Sequence, residues 1–102
     1  MKNFDELIYD YVRLVPLGMV TTFSEIAKVV DNGVVSNNVV AALKKVQDVA
    51  YIPAHRVVKT SGDLSKSFID GGKRGQKKLL KSEGVVVKGG RVDLRKFGFR
   101  YW

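Results

Sequence analysis

Cysteine is missing from this 102-residue chain, histidine occurs once, as His55, and proline twice. The first absence excludes disulfides, thiolate metal sites and any sulfur nucleophile. A lone imidazole leaves a structural zinc site without its ligands, so no metal is expected. Long apolar runs are also missing, and nothing approaches the roughly 20 residues that cross a bilayer. The start MKNFDELIYD has neither the basic nor the apolar stretch of a signal peptide. The expectation is a cytoplasmic protein with no membrane partner.

What is present fits one folded unit over residues 1–102 with a single core. Hydrophobic residues make up 45% and charged residues 27%, a globular balance that excludes a disordered chain. The net charge of +8 is unevenly spread. Residues 1–54 hold five basic and six acidic groups, whereas residues 55–102 hold thirteen basic and four acidic ones. Such asymmetry favours a polyanionic partner, because each phosphate neutralised releases counterions. The alternative is a solvated lysine surface that serves solubility.

Periodicity and punctuation supply the elements. Asn3 with Glu6 has N-cap spacing ahead of Phe4, Leu7, Ile8, Tyr11 and Val15, predicting a helix over about residues 3–15 that Pro16 and Gly18 stop. Thr22 and Glu25 have capping-box spacing before a second helix at about 23–31, with Gly33 available for a left-handed stop. Ser36 is expected to cap a third helix, Asn37 to about Val46, with Val35 and Val40 as its staple. The pair reads as a helix-turn-helix, or equally as two core helices of a small α+β domain. Further on come a β-rich run from His55 to Lys59 and a turn at Ser61-Gly62-Asp63. A basic helix over about 73–83 follows, with Leu79 and Leu80 inward, and then a Gly89-Gly90 hairpin within 85–94. The tail, about residues 95–102, alternates basic and aromatic residues, and its own sequence leaves open whether it packs on the body.

The run Ile52-Pro53-Ala54-His55-Arg56-Val57-Val58 resembles the Pro-Cys-His-Arg-Val motif of the O6-alkylguanine-DNA alkyltransferases. Matching pieces flank it: Gly18 to Ala27 upstream, Ser61-Gly62, Gly71-Gly72, Gln76, Leu79-Leu80, Glu83-Gly84-Val85 and Gly90 to Leu94 downstream. The resemblance spans roughly residues 3–94 in order and spacing. It implies an α+β fold, a small winged-helix-like helix-turn-helix domain similar to the C-terminal domain of those enzymes. In them a cysteine thiolate takes the alkyl group, with histidine and glutamate holding it deprotonated through water. Here His55 and Glu83 keep the partner positions, but Ala54 stands at the nucleophile. Catalytic residues are therefore none. The chain is most similar to the alkyltransferase-like branch, whose members bind alkylated guanine without removing it and present it to nucleotide-excision repair.

By that resemblance, Thr22, Phe23, Ser36, Asn37 and Asn38 are expected at the DNA, with helix 3 in the minor groove. Phe23, Leu43, Ala54, Val57 and Ile69 are expected to line the pocket of the extruded base, and Asp70 to contribute its N–H. Ala54 is expected to enlarge that pocket. Four positions depart from the family: Asn37 replaces the arginine that fills the gap left by the base, Phe23 a tyrosine, Val46 an asparagine and Val40 a glycine. His55 reads as a relic of catalysis or as a brace of its turn, and Glu83 as its partner or as a helix-terminal carboxylate. Arg56 is read as a brace acting through backbone carbonyls. Ser65 lines the pocket or is solvated, and Lys44 and Lys45 complement a helix dipole.

The implied partners are duplex DNA carrying O6-alkylguanine and nucleotide-excision-repair proteins, with no cofactor, a monomeric state, and a place at the nucleoid or in a nucleus. Two alternatives stay open: a Cys→Ala form of an active alkyltransferase, and a general DNA-binding domain without lesion selectivity.

Overall fold

Asn3 opens the first element: its Oδ1 accepts the Glu6 N–H at 2.9 Å and caps helix α1, Phe4–Arg13. The computed structural model describes residues 3–31, 33–66 and 71–101. Helix α1 ends two residues before the predicted stop, and its buried face is Ile8 and Val12, followed by Val15. Phe4, expected inside, is the first residue of α1 and is 47% exposed.

Strand β1, Thr21–Thr22, leads directly into α2, Phe23–Val30, where Thr22 Oγ1 accepts the Glu25 N–H at 3.1 Å. Asp31 takes a positive φ of 58° at the end of α2, and Gly33 follows at 78°. Helix α3 is Ser36–Lys44. Its cap differs from the sequence expectation: Val35 is the N-cap and Ser36 the first helical residue. Asn38, three residues on, reaches back with Oδ1 to the Val35 N–H at 2.8 Å, so a side chain inside the helix satisfies the donor.

A 3₁₀ turn, Ala54–Arg56, runs into β2, Val57–Val58, which pairs in parallel with β1. The register is Thr21 with Val57 and Thr22 with Val58. A parallel pair needs a long crossover, and α2 and α3 supply it. One apolar cluster joins α1, α2 and α3 to Ala54 and Val57. A second gathers Val20, Val58, Leu64, Leu80, Val85 and Val92. Neighbouring residues of β2 thus face different cores.

Helix α4, Gly72–Ser82, ends in a Schellman motif: Gly84, at φ 86°, donates to Lys81 O at 3.1 Å and Val85 donates to Leu80 O at 3.0 Å. Val85 is thereby spent on the helix end, and the hairpin strands shrink to β3, Val87–Lys88, and β4, Arg91–Val92. Gly89 and Gly90 have φ of 58° and 73°, the conformation a two-residue type I′ turn requires.

Helix α4 folds against its own electrostatics. Its first turn holds Lys73 and Arg74 and no acid, where the helix dipole favours anions. Arg74, Lys77, Lys78 and Lys81 form like-charge pairs three and four residues apart, each costing about 0.2–0.5 kcal/mol. Burial of Leu80 and Gln76, both 0% exposed, offsets this.

The tail packs as far as Tyr101. Asp93 caps a short α5, Leu94–Phe97, and Val20 brackets the next turn by donating to Phe97 O at 2.8 Å and accepting from Phe99 N at 2.7 Å. Tyr101 stands edge-on to Tyr11, 5.5 Å between centroids, and donates its hydroxyl to Tyr11 O at 2.9 Å. No helix of the described residues is long and apolar enough to cross a membrane.

Candidate functional site

The Pro53-Ala54-His55-Arg56 turn is fixed from behind by two polar residues. Glu83, at the end of α4, lies 2.8 Å from His55 through Oε2, and it receives a two-pronged Arg56 contact: Nε to Oε1 and Nη2 to Oε2, both 2.9 Å. The remaining Arg56 nitrogen, Nη1, donates to Val15 O at 2.9 Å and ties the turn to the end of the first helical segment. Arg56 thus braces the backbone as expected, and its fork on Glu83 is an addition. Glu83 is both the partner of His55 and a helix-terminal residue.

Gln76 is the second brace. Its Oε1 accepts the Ser65 N–H at 2.8 Å, while Nε2 donates to His55 O at 3.0 Å and to Val57 O at 2.9 Å. Both donors and the carbonyl oxygen of this buried amide meet backbone, three of its four hydrogen-bonding directions, which is why a polar side chain is tolerated there.

The electrostatics follow from burial. His55 is 3% exposed, and desolvation pulls its pKa below the ordinary value against the opposing pull of Glu83. Burial raises the Glu83 carboxyl, but the hydrogen bonds from Arg56 and His55 outweigh it and hold it below the usual carboxylate range. The neutral imidazole donates from Nε2 to a carboxylate, so Nδ1 carries the lone pair, and it is buried with no partner among the described residues.

On the other side of the turn lies an apolar cleft lined by Phe23 from α2, Val40, Leu43 and Lys44 from α3, Ala54 and Val57, with Ser65 and Gln76 closing it. Four expected pocket residues, Phe23, Leu43, Ala54 and Val57, therefore converge. Ile69 and Asp70 lie outside the described residues. The enlarged chamber expected from Ala54 is not seen: the cleft has a volume of about 20 Å³, room for about one water. Val40, at the family's glycine position, and the Lys44 side chain line the side of α3 where space was expected.

The residues expected at the DNA are arranged unevenly. Asn37 is exposed at the start of α3. Asn38 and Thr22 use their side-chain oxygens as caps, and Thr22 Oγ1 also contacts Ser24 Oγ at 3.2 Å, itself 3.0 Å from Thr60 Oγ1. Ser36 is half-buried. Ser65 is only 6% exposed and lies along the cleft, which decides for the lining role. Gln76, quoted above only as a matching residue, and Lys44, read as complementing a helix dipole, both line the cleft, a place sequence reasoning did not give them. Helical spacing of Gln76 from Leu80 was the available signal for the first, and for the second the spacing of Lys44 from Val40 on α3.

The family described as 6-O-methylguanine DNA methyltransferase, DNA binding domain, matches residues 3–85. The chain belongs to this family. Two curated members are similar over most of its length. Alkyltransferase-like protein 1 of Schizosaccharomyces pombe is 36% identical over 87 residues, 85% of this chain and 81% of that protein. The DNA base-flipping protein of Escherichia coli is 31% identical over 100 residues, 97% of this chain and 76% of that one. The crystal structure of the S. pombe alkyltransferase-like protein in complex with damaged DNA containing O6-carboxymethylguanine superposes with a TM-score of 0.85 at 30% identity. That match covers 98% of this chain and 99% of the other. Within the methyltransferase family the acceptor position is Ala54, and with no cysteine anywhere this member has no thiol to take an alkyl group.

Proposed function

We propose that this protein binds O6-alkylguanine in duplex DNA, takes the extruded base into the cleft at Ala54, and leaves the alkyl group in place. The observation that carries this reading is the cleft itself. Phe23, Leu43, Ala54 and Val57 meet there under α3, and the turn behind is still clamped by Glu83 and Gln76. The similarity to proteins described as alkyltransferase-like and base-flipping supports it.

Extruding a base costs a few kcal/mol, which pocket contacts and an inserted side chain offset. Asn37 and Asn38 at the start of α3, with Thr22, Phe23 and Ser36, form the surface that meets the minor groove. Phe23, Leu43, Ala54, Val57, Ile69 and the Asp70 N–H hold the base. The cleft is too narrow for a base as it stands, so Val40 and Lys44 move apart when one enters. Ala54 then leaves free space at the floor, and adducts larger than methyl bind at least as tightly as methyl. The bound lesion is presented to nucleotide-excision-repair proteins, and the protein acts as a monomer.

The test is fluorescence anisotropy with duplexes carrying guanine, O6-methylguanine and O6-pyridyloxobutylguanine at one fixed salt concentration, since affinity alone is uninterpretable without it. The lesion duplexes bind at least tenfold more tightly than the plain one. An affinity ratio near one points to a general DNA-binding domain, and tighter binding of methyl than of the larger adduct overturns the pocket assignment. The His55–Glu83 contact also keeps part of what an alkyl-accepting thiol would need. An A54C variant decides that point: inertness toward O6-methylguanine duplex supports a binder by descent, and stoichiometric alkyl transfer identifies the chain as an enzyme lacking only its sulfur.

A further inference from the structure

We propose that the outer face of α4 binds the phosphate backbone of a second length of duplex DNA, so that the protein can be handed directly from one DNA segment to another. The proposal rests on the reading of the cleft as a DNA-lesion site.

Arg74, Lys77, Lys78 and Lys81 line a single shallow groove on α4, and all four are exposed. At about 100° per residue, their stripe is centred about 160° around the helix from the face that carries Gln76, Leu79, Leu80 and Glu83. That inner face backs the cleft and clamps the His55 turn. DNA seated on α3 with a base in the cleft is therefore served from one side of α4, and the stripe points to the other.

The composition of the stripe separates it from an ordinary solvated surface. It carries one sign of charge in a row with no carboxylate between, and an external anion would relieve the repulsion along α4 described above. Two exposed cations elsewhere do have a carboxylate partner, Lys45 with Asp5 at 2.8 Å and Arg91 with Asp63 at 3.0 Å. The stripe runs from Arg74 to Lys81, seven helical steps or about 10.5 Å along the helix axis, which spans about three phosphates of one strand. With three phosphates neutralised, raising salt from 50 to 200 mM weakens such a contact about 40-fold.

Direct transfer has a kinetic signature. The full chain is loaded on a fluorescein-labelled O6-methylguanine duplex and mixed, in a stopped-flow instrument, with rising concentrations of unlabelled undamaged duplex. Release accelerates in proportion to the added duplex, because the second segment docks before the first departs. In the R74Q/K77Q/K78Q/K81Q variant the rate becomes at least tenfold less dependent on added duplex, while the affinity ratio between lesion and plain duplex is kept. Its melting midpoint holds or rises, since the repulsion is gone, and the K77R/K78R/K81R variant transfers like the native chain. A release rate independent of added duplex in the native chain, or an unchanged dependence in the glutamine variant, overturns the proposal. Acceleration by polyglutamate but not by duplex overturns it in favour of an acidic protein partner. Formation of no complex with either duplex removes the lesion reading and this one together, whereas lesion binding without transfer removes this one alone.

Discussion

The helical segment from α1 to α3 and the segment from the 3₁₀ turn onward solve the same folding problem by different means. The first is nearly neutral and closes by apolar packing: Ile8, Val12, Ile26, Val39 and Ala42 are all fully buried. The second is strongly basic, and its own apolar cluster is small. It relies on buried polar frames, Gln76 bonded to three backbone groups and Glu83 gripped by Arg56 and His55. The cleft lies on the seam between them. An apolar wall thus faces a wall whose shape is set by hydrogen bonds, which are directional where hydrophobic contact is not.

The largest effect is expected where that polar frame is cut. Glu83→Ala leaves the Arg56 guanidinium, 15% exposed, beside a buried imidazole with no counter-charge, and should destabilise the fold by about 3 kcal/mol or more in urea unfolding. If the loss is under 1 kcal/mol, the second region does not depend on this clamp. Gln76→Ala strands the Ser65 N–H and the carbonyls of His55 and Val57, and is expected to cost about 2–3 kcal/mol and to weaken lesion binding, since the far wall of the cleft loses its anchor.

Acid sharpens the same contrast. His55 binds its proton more weakly in the fold than its ordinary value of 6.5 allows, and Glu83 does so relative to 4.5. In each window the unfolded chain holds more protons, so stability rises with pH. Stability is full above neutrality, declines as pH drops below about 6.5, and declines again below about 4.5. H55Q should abolish the first stage in thermal melts across pH while keeping the second.

Asn37→Arg adds a side chain long enough to fill the gap left by an extruded base, and should tighten lesion binding about tenfold, about 1.4 kcal/mol, with little change in stability. Smallest is Tyr101→Phe, which removes one hydrogen bond to Tyr11 O. It should lower stability by about 0.5–1.5 kcal/mol and leave the lesion-to-plain affinity ratio unchanged.

Local signals in the sequence were read well where the physics is local. The caps at Asn3 and Thr22 and the left-handed Gly89-Gly90 turn depend on residues a few positions apart, and the structure contains all three. The turn from Pro53 to Val58 was legible through a motif, and with it four walls of the cleft. What escaped depends on distant partners. Gln76 looks like one more polar residue among lysines until Ser65, His55 and Val57 close around it. Ser36 does not open the helix because the helix starts one residue earlier than its spacing suggested, with Val35 as the cap residue and Asn38 Oδ1 taking the Val35 N–H. The narrowness of the cleft came from Val40 and Lys44, whose direction on α3 is set by how that helix packs on α1 and α2.

A methyl group at the floor of the cleft forms no bond with whatever arrives there. In the proposed role each encounter ends by release, and the same molecule is free to engage another site. How many lesions a fixed stock can mark then depends on residence time rather than on the number of copies made.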